Sequence, residues 1–172
     1  SFGAFVPGVD LTNELSSDLV AELRGLWLEH KVIAFPEQQI NDEELERFSL
    51  YFGEFGEDPF LGHIEGHENI AAIQRNADET TPIFAENLHS DWSFLDVPPA
   101  GTCLFGIKIP PEGGNTLFAD QVAAYENLPA NLRDQADSLV AIHSAKKGYA
   151  PDGKFGVADK AKGRSINIIT SE

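Results

Sequence analysis

A chain of 172 residues, 42% apolar and with 12 Phe, is long enough for one domain with a substantial core. Its formal charge of −16 excludes a phosphate-backbone partner, since nucleic-acid binders need basic patches, but not an anionic small molecule met by one buried cation. The single Cys103 excludes an internal disulfide framework, and no apolar run is long enough to span a bilayer. The expectation is a cytoplasmic protein that meets a small molecule, with neither nucleic acid nor membrane as partner. Self-association stays open.

Residues 3–11 read as an irregular edge strand interrupted by Pro7 and Gly8. Ser16-Ser17-Asp18 offers N-caps for a helix over about residues 18–30, with Leu19, Val20, Leu23, Leu26 and Trp27 as its apolar stripe. Residues 32–35 form a short apolar strand ended by Pro36. Asn41-Asp42-Glu43-Glu44 matches a capping box, and the helix it opens buries Leu45, Phe48 and Phe52 before stopping near Gly53. These are packing elements and carry no assigned chemistry.

Residues 54–68 form a Gly-rich loop in which His63, Glu65 and His67 alternate; a solvated loop is favoured over a metal site there. Residues 69–74 read as a strand, and the polar, non-periodic stretch 76–86 reads as a mobile lid. Further on, residues 102–109 are strand-like, Pro110-Pro111 and Gly113-Gly114 turn the chain, and residues 115–119 return. Asp120 caps a short helix through Tyr125, and a second helix covers about 129–137 with Leu132 inward. Residues 138–143 look like a strand, 145–165 like loop, and 165–169 like a last strand fragment.

Between lid and strand lies Asn87-Leu88-His89-Ser90-Asp91-Trp92-Ser93-Phe94. Side chains two positions apart on an extended chain or tight turn share a face, so His89 and Asp91 can grip one divalent ion together. A neutral imidazole and an ionised carboxylate suit Fe(II). With a second His from elsewhere they make the 2-His-1-carboxylate triad of non-haem oxygenases, which leaves three positions open. His143 is a conceivable second His, although a satisfied core histidine is the preferred reading of that position.

The order of motifs is more specific than the pair. Gly8-Val9-Asp10-Leu11 is followed by His30-Lys31-Val32-Ile33-Ala34-Phe35 and Phe52-Gly53-Glu54. Then come His89-Ser90-Asp91 with Phe94, Pro98-Pro99-Ala100-Gly101, Gly113-Gly114-Asn115-Thr116-Leu117-Phe118 and Ala123-Ala124-Tyr125. This series, over nearly the whole chain, resembles the taurine dioxygenase family of Fe(II)/2-oxoglutarate-dependent oxygenases. The resemblance implies a mainly β fold with flanking helices, a double-stranded β-helix (jelly-roll), with residues 1–172 forming part of one catalytic domain.

By the same resemblance His89 and Asp91 are iron ligands, Thr116 bonds a carboxylate of 2-oxoglutarate, and Phe94 borders the substrate pocket. A hydroxyl donating to a charged oxygen contributes about 1.5–3 kcal/mol, enough to orient 2-oxoglutarate but not to neutralise it. The implied reaction consumes dioxygen, decarboxylates 2-oxoglutarate to succinate and hydroxylates a substrate C–H. If that carbon bears sulfur or oxygen, the C–S or C–O bond is cleaved. Asp91 occupies the position a halide would need, so hydroxylation is expected rather than halogenation. Trp92 and Phe94 read either as the dry wall of the site or as core.

The family's second His ligand and its 2-oxoglutarate-binding Arg fall beyond Glu172, so the sequence is expected to be a piece of a longer chain, with an incomplete jelly-roll. Where taurine-specific members place a His and a Tyr, this chain has Asp58 and Leu61; where they place an Asn, it has Ala85. Lost polar contacts in a specificity pocket are costly, so a different small acid, or an amine-bearing acid met by Asp58, is expected instead of taurine. A water-facing Asp58 is the other reading. Two alternatives stand beside the oxygenase: an inactive jelly-roll binding module, and a cupin-type metal enzyme that does not use 2-oxoglutarate.

Overall fold

A computed structural model describes residues 1–57, 62–78, 80 and 87–145, together with the backbone of 169–170. The chain divides into two compact units, Ser1–Phe55 with Phe105–Ile107, and Gly56–Leu104 with Lys108–Glu172.

The first unit follows from its local signals. Ser16 Oγ accepts the Leu19 N–H at 3.3 Å, and α1 runs over Ser17–His30. It ends where Lys31 turns to a φ of 67° and its N–H donates to the Trp27 carbonyl at 2.7 Å. On either side of α1 lie β1 (Ala4–Phe5) and β2 (Ile33–Ala34), paired in parallel with Ala4 opposite Ile33 and Phe5 opposite Ala34. Parallel pairing needs such a crossover, because a tight turn cannot bring two strands side by side in the same direction.

The stripe foreseen for α1 faces inward. Leu23 is buried with Leu11 and Phe48, and Leu19, Leu26, Phe35 and Phe52 pack around them. Phe48, on α2 (Asp42–Leu50), meets Phe35 and Phe52 edge-on at ring separations of 5.2 and 5.3 Å. Between β1 and α1, the Asp10 loop is tied down locally. Asp10 accepts from the Thr12 hydroxyl at 2.7 Å and the Thr12 N–H at 3.0 Å, which holds its carboxyl below the usual carboxylate range.

The capping box is present in full. Asn41 Oδ1 accepts the Glu44 N–H and Glu44 Oε2 accepts the Asn41 N–H, each at 2.8 Å. Both bonds satisfy N–H groups that the first turn of a helix leaves without partners. Asn41→Ala is therefore expected to destabilise the protein by about 1 kcal/mol, with Asn41→Asp close to native, as read from urea unfolding midpoints.

The second unit departs from expectation. Its helices form as foreseen: α3 (Gln121–Glu126) is capped by Asp120, which accepts from the Val122 and Ala123 N–H groups, and α4 (Ala130–Asp137) follows Pro129. Leu132, however, is 45% exposed and not inward as expected. Among the described residues its strands are β3 (Ile142–His143) and, antiparallel to it, β4 (Ile169–Thr170). Stretches 69–74, 102–109 and 115–119 join no ladder among the described residues. A strand is defined by its neighbour, and without one Leu104, Ile109 and Leu117 stay exposed, as does Ile107, which belongs to the first unit.

The turn between those last two stretches is as foreseen. Gly113 and Gly114 have φ of 78° and 68°, and a Cβ on Gly114 would sit 3.2 Å from Pro110 Cγ. Most of the expected lid (79 and 81–86) and most of the expected loop 145–165 lie outside the described residues. No helix among the described residues is long and apolar enough to cross a membrane.

Candidate metal centre

His89 and Asp91 are brought together as the i, i+2 spacing requires, although by a turn over residues 91–94 instead of a strand. The turn closes with the Leu95 N–H on the Trp92 carbonyl at 2.9 Å, and Trp92 takes a φ of 47°. For a bulky L-residue that left-handed conformation costs about 1–2 kcal/mol, the kind of strain found where a side chain is being aimed.

Two contacts fix the imidazole. Nδ1 lies 2.8 Å from the Asn87 carbonyl oxygen, which can only accept, so Nδ1 carries a proton. Nε2 lies 2.9 Å from Asp91 Oδ1, which also only accepts. A neutral imidazole would thus turn a lone pair toward a carboxylate. The contact is favourable only if a cation stands between the two atoms, either the proton of an imidazolium or a metal ion. Metal ligation by the far nitrogen of a His whose near N–H is held by a carbonyl is a recurrent arrangement.

The spacing is that of an ordinary N–H···O bond, and it also accommodates the second case. Bonds of about 2.1 Å to one ion at a right angle put two donor atoms about 3.0 Å apart. Both side chains are half-exposed, at 49% and 44%, so an ion can reach them. As a bare surface ion pair they would add only about 0–1 kcal/mol to stability.

Asp91 has a second partner that the sequence did not reveal. The Thr102 hydroxyl donates to its Oδ2 at 2.6 Å. Ser93, in the same turn, meets His143 Nδ1 at 2.7 Å. His143 is therefore an exposed hydrogen-bonded residue on β3 and not the satisfied core histidine expected. Trp92 and Phe94 stack edge-on at 5.7 Å and are half-buried.

Thr116 is exposed in the stretch after the Gly113-Gly114 turn and has no hydrogen bond to His89 or Asp91 among the described residues. Asp58, Leu61 and Ala85 lie outside the described residues. His63 and His67 flank a tight reversal in which Ile64 bridges His67, and no cluster of three or more metal-ligating side chains forms among the described residues.

Residues 1–166 match the model described as taurine catabolism dioxygenase TauD, TfdA family, and the chain belongs to that family. An alkylsulfatase of Acinetobacter baylyi is 36% identical over 148 residues, 86% of this chain and 45% of its own length. An alpha-ketoglutarate-dependent sulfate ester dioxygenase of Pseudomonas putida is 31% identical over 149 residues, 86% of this chain and 48% of its own length. The crystal structure of a taurine dioxygenase from Burkholderia xenovorans, 33% identical, superposes with a TM-score of 0.66 over 83% of this chain and 50% of that one.

The chain spans about half the length of these relatives. Members of the family are Fe(II)- and alpha-ketoglutarate-dependent dioxygenases with a jelly-roll fold, and matching relatives are named for sulfate esters, phenoxypropionate and sulfonates.

Proposed function

We propose that the protein is an Fe(II)- and 2-oxoglutarate-dependent dioxygenase that hydroxylates a small organic acid, with cleavage where the attacked carbon bears sulfur or oxygen. The observation that carries this reading is the 2.9 Å approach of His89 Nε2 to Asp91 Oδ1, with His89 Nδ1–H already engaged by the Asn87 carbonyl. One neutral nitrogen and one anionic oxygen, adjacent and reachable from solvent, are two of the three donors such an iron site needs.

When bound, Fe(II) with 2-oxoglutarate supplies the dioxygen chemistry; the chain's own residues bind, orient and shield. His89 and Asp91 would hold the metal. Asp91 would offset part of its charge and would leave no place there for a halide. Thr116 would donate its hydroxyl to a 2-oxoglutarate carboxylate. The half-buried Trp92 and Phe94 rings beside Asp91 would form the apolar wall that limits water and borders the substrate. A jelly-roll with residues 1–172 within one catalytic domain is part of the same reading.

Sulfate esters, sulfonates and aryloxy acids share an anionic group near the carbon to be attacked, and relatives named for them make this the substrate class to test first. Asp58, Leu61 and Ala85, where taurine-specific members carry polar groups, place taurine lower. The test is succinate release coupled to oxygen uptake across sulfate esters, sulfonates, aryloxyacetates and amino acids, with Fe(II) supplied. Substrate-stimulated succinate from at least one acid, abolished by omitting 2-oxoglutarate, is expected. Conversion of a substrate without succinate would favour the cupin-type alternative.

A further inference from the structure

The two oxygens of Asp91 are held differently. Oδ1 faces His89 Nε2 at 2.9 Å, while Oδ2 accepts the Thr102 hydroxyl at 2.6 Å, within the short range of hydroxyl–carboxylate bonds. Thr102 comes from beyond Pro98-Pro99, on a different stretch from the turn that carries Asp91. A carboxylate free to rotate about Cβ–Cγ can offer a metal either oxygen or both. A two-oxygen grip would consume a coordination position that a chelating co-substrate needs.

Resting on the metal-binding reading above, we infer that Thr102 is a positioning residue. Its hydroxyl retains Oδ2, fixing Asp91 as a one-oxygen ligand with Oδ1 toward His89. The Leu95–Trp92 backbone bond closes the same turn, so turn and carboxylate plane are set by separate contacts. Only the Thr102 bond acts on the carboxylate itself, through the oxygen that faces away from His89. Partners that orient a ligand in this way are commonly worth 10–100-fold in metal affinity.

The test is Mn(II) titration of the full protein, with any residues that follow Glu172, read from loss of the free-ion paramagnetic resonance signal in native, Thr102→Val and Thr102→Ser forms. Valine keeps the shape of threonine and removes the hydroxyl; serine keeps the hydroxyl. The expected result is Mn(II) binding weakened about 10–100-fold by valine and largely restored by serine, with native-like thermal unfolding in both. Thr102→Ala carries the same comparison if the valine form does not fold. Native affinity in the valine or alanine form, when the native protein binds Mn(II), overturns the role of Thr102 alone. Equal weakening by valine and serine also overturns it, since the hydroxyl would then not matter. No Mn(II) binding by the native protein overturns the metal-binding reading and this inference together.

Discussion

Asp91→Ala is expected to weaken Fe(II) or Mn(II) binding by more than about 100-fold, and succinate formation with it, while leaving the thermal unfolding midpoint nearly unchanged. Changing an outer partner of a metal ligand already costs about 10–100-fold, and loss of the ligand itself must exceed that. The carboxylate also brings the negative charge that offsets a divalent ion, and His89 Nε2 alone cannot replace it. Stability should be spared because both side chains are half-exposed, where substitutions usually stay within about 0.5 kcal/mol. His89→Ala should behave alike. The two losses should not add, because either removal already breaks the shared grip. Metal titration beside a melting curve checks the pair, and a large fall in melting temperature with retained metal affinity would contradict it.

Phe48→Ala is expected to have the opposite profile, a loss of about 3–5 kcal/mol in stability with no direct effect on metal binding. Phe48 is 6% exposed and touches the rings of Phe35 and Phe52, so truncation removes an aromatic body from the centre of the first unit and leaves a cavity. Leu23, 1% exposed on the inner face of α1, should cost about 2–5 kcal/mol on the same change. Against a typical domain stability of about 5–15 kcal/mol, either loss is a large share. Leu28, on the outer face of the same helix and 67% exposed, is the control, with an expected change within about 0.5 kcal/mol. Urea unfolding of the three variants measures the contrast.

What could be read from the sequence was what local chemistry decides. A cap at Ser16, a capping box at Asn41 and Glu44, and apolar stripes at helical spacing set α1 and α2 before any tertiary contact is considered. Strands at 102–109 and 115–119 were not decided locally, because their apolar composition needs a hydrogen-bonded neighbour to become a sheet. Leu132 illustrates the same limit on a helix: its spacing is right, but the residue stays exposed.

The candidate site divides in the same way. His89 and Asp91 were legible because a two-residue spacing fixes their relative placement. Thr102 was not, since its approach to Asp91 depends on the path the chain takes through Pro98-Pro99. His143 departs from the buried surroundings expected of it. An apolar neighbour such as Ile142 suggests burial, yet both residues are exposed on a two-residue strand.

Anaerobic addition of Fe(II) and then 2-oxoglutarate, followed in the visible range, tests the central claim most directly. A weak charge-transfer band that needs both additions, appears in the native protein and is missing in Asp91→Ala is the predicted result. A native protein that develops no band with Fe(II) in stoichiometric amount and 2-oxoglutarate in excess, or an Asp91→Ala protein that develops the same one, would contradict it.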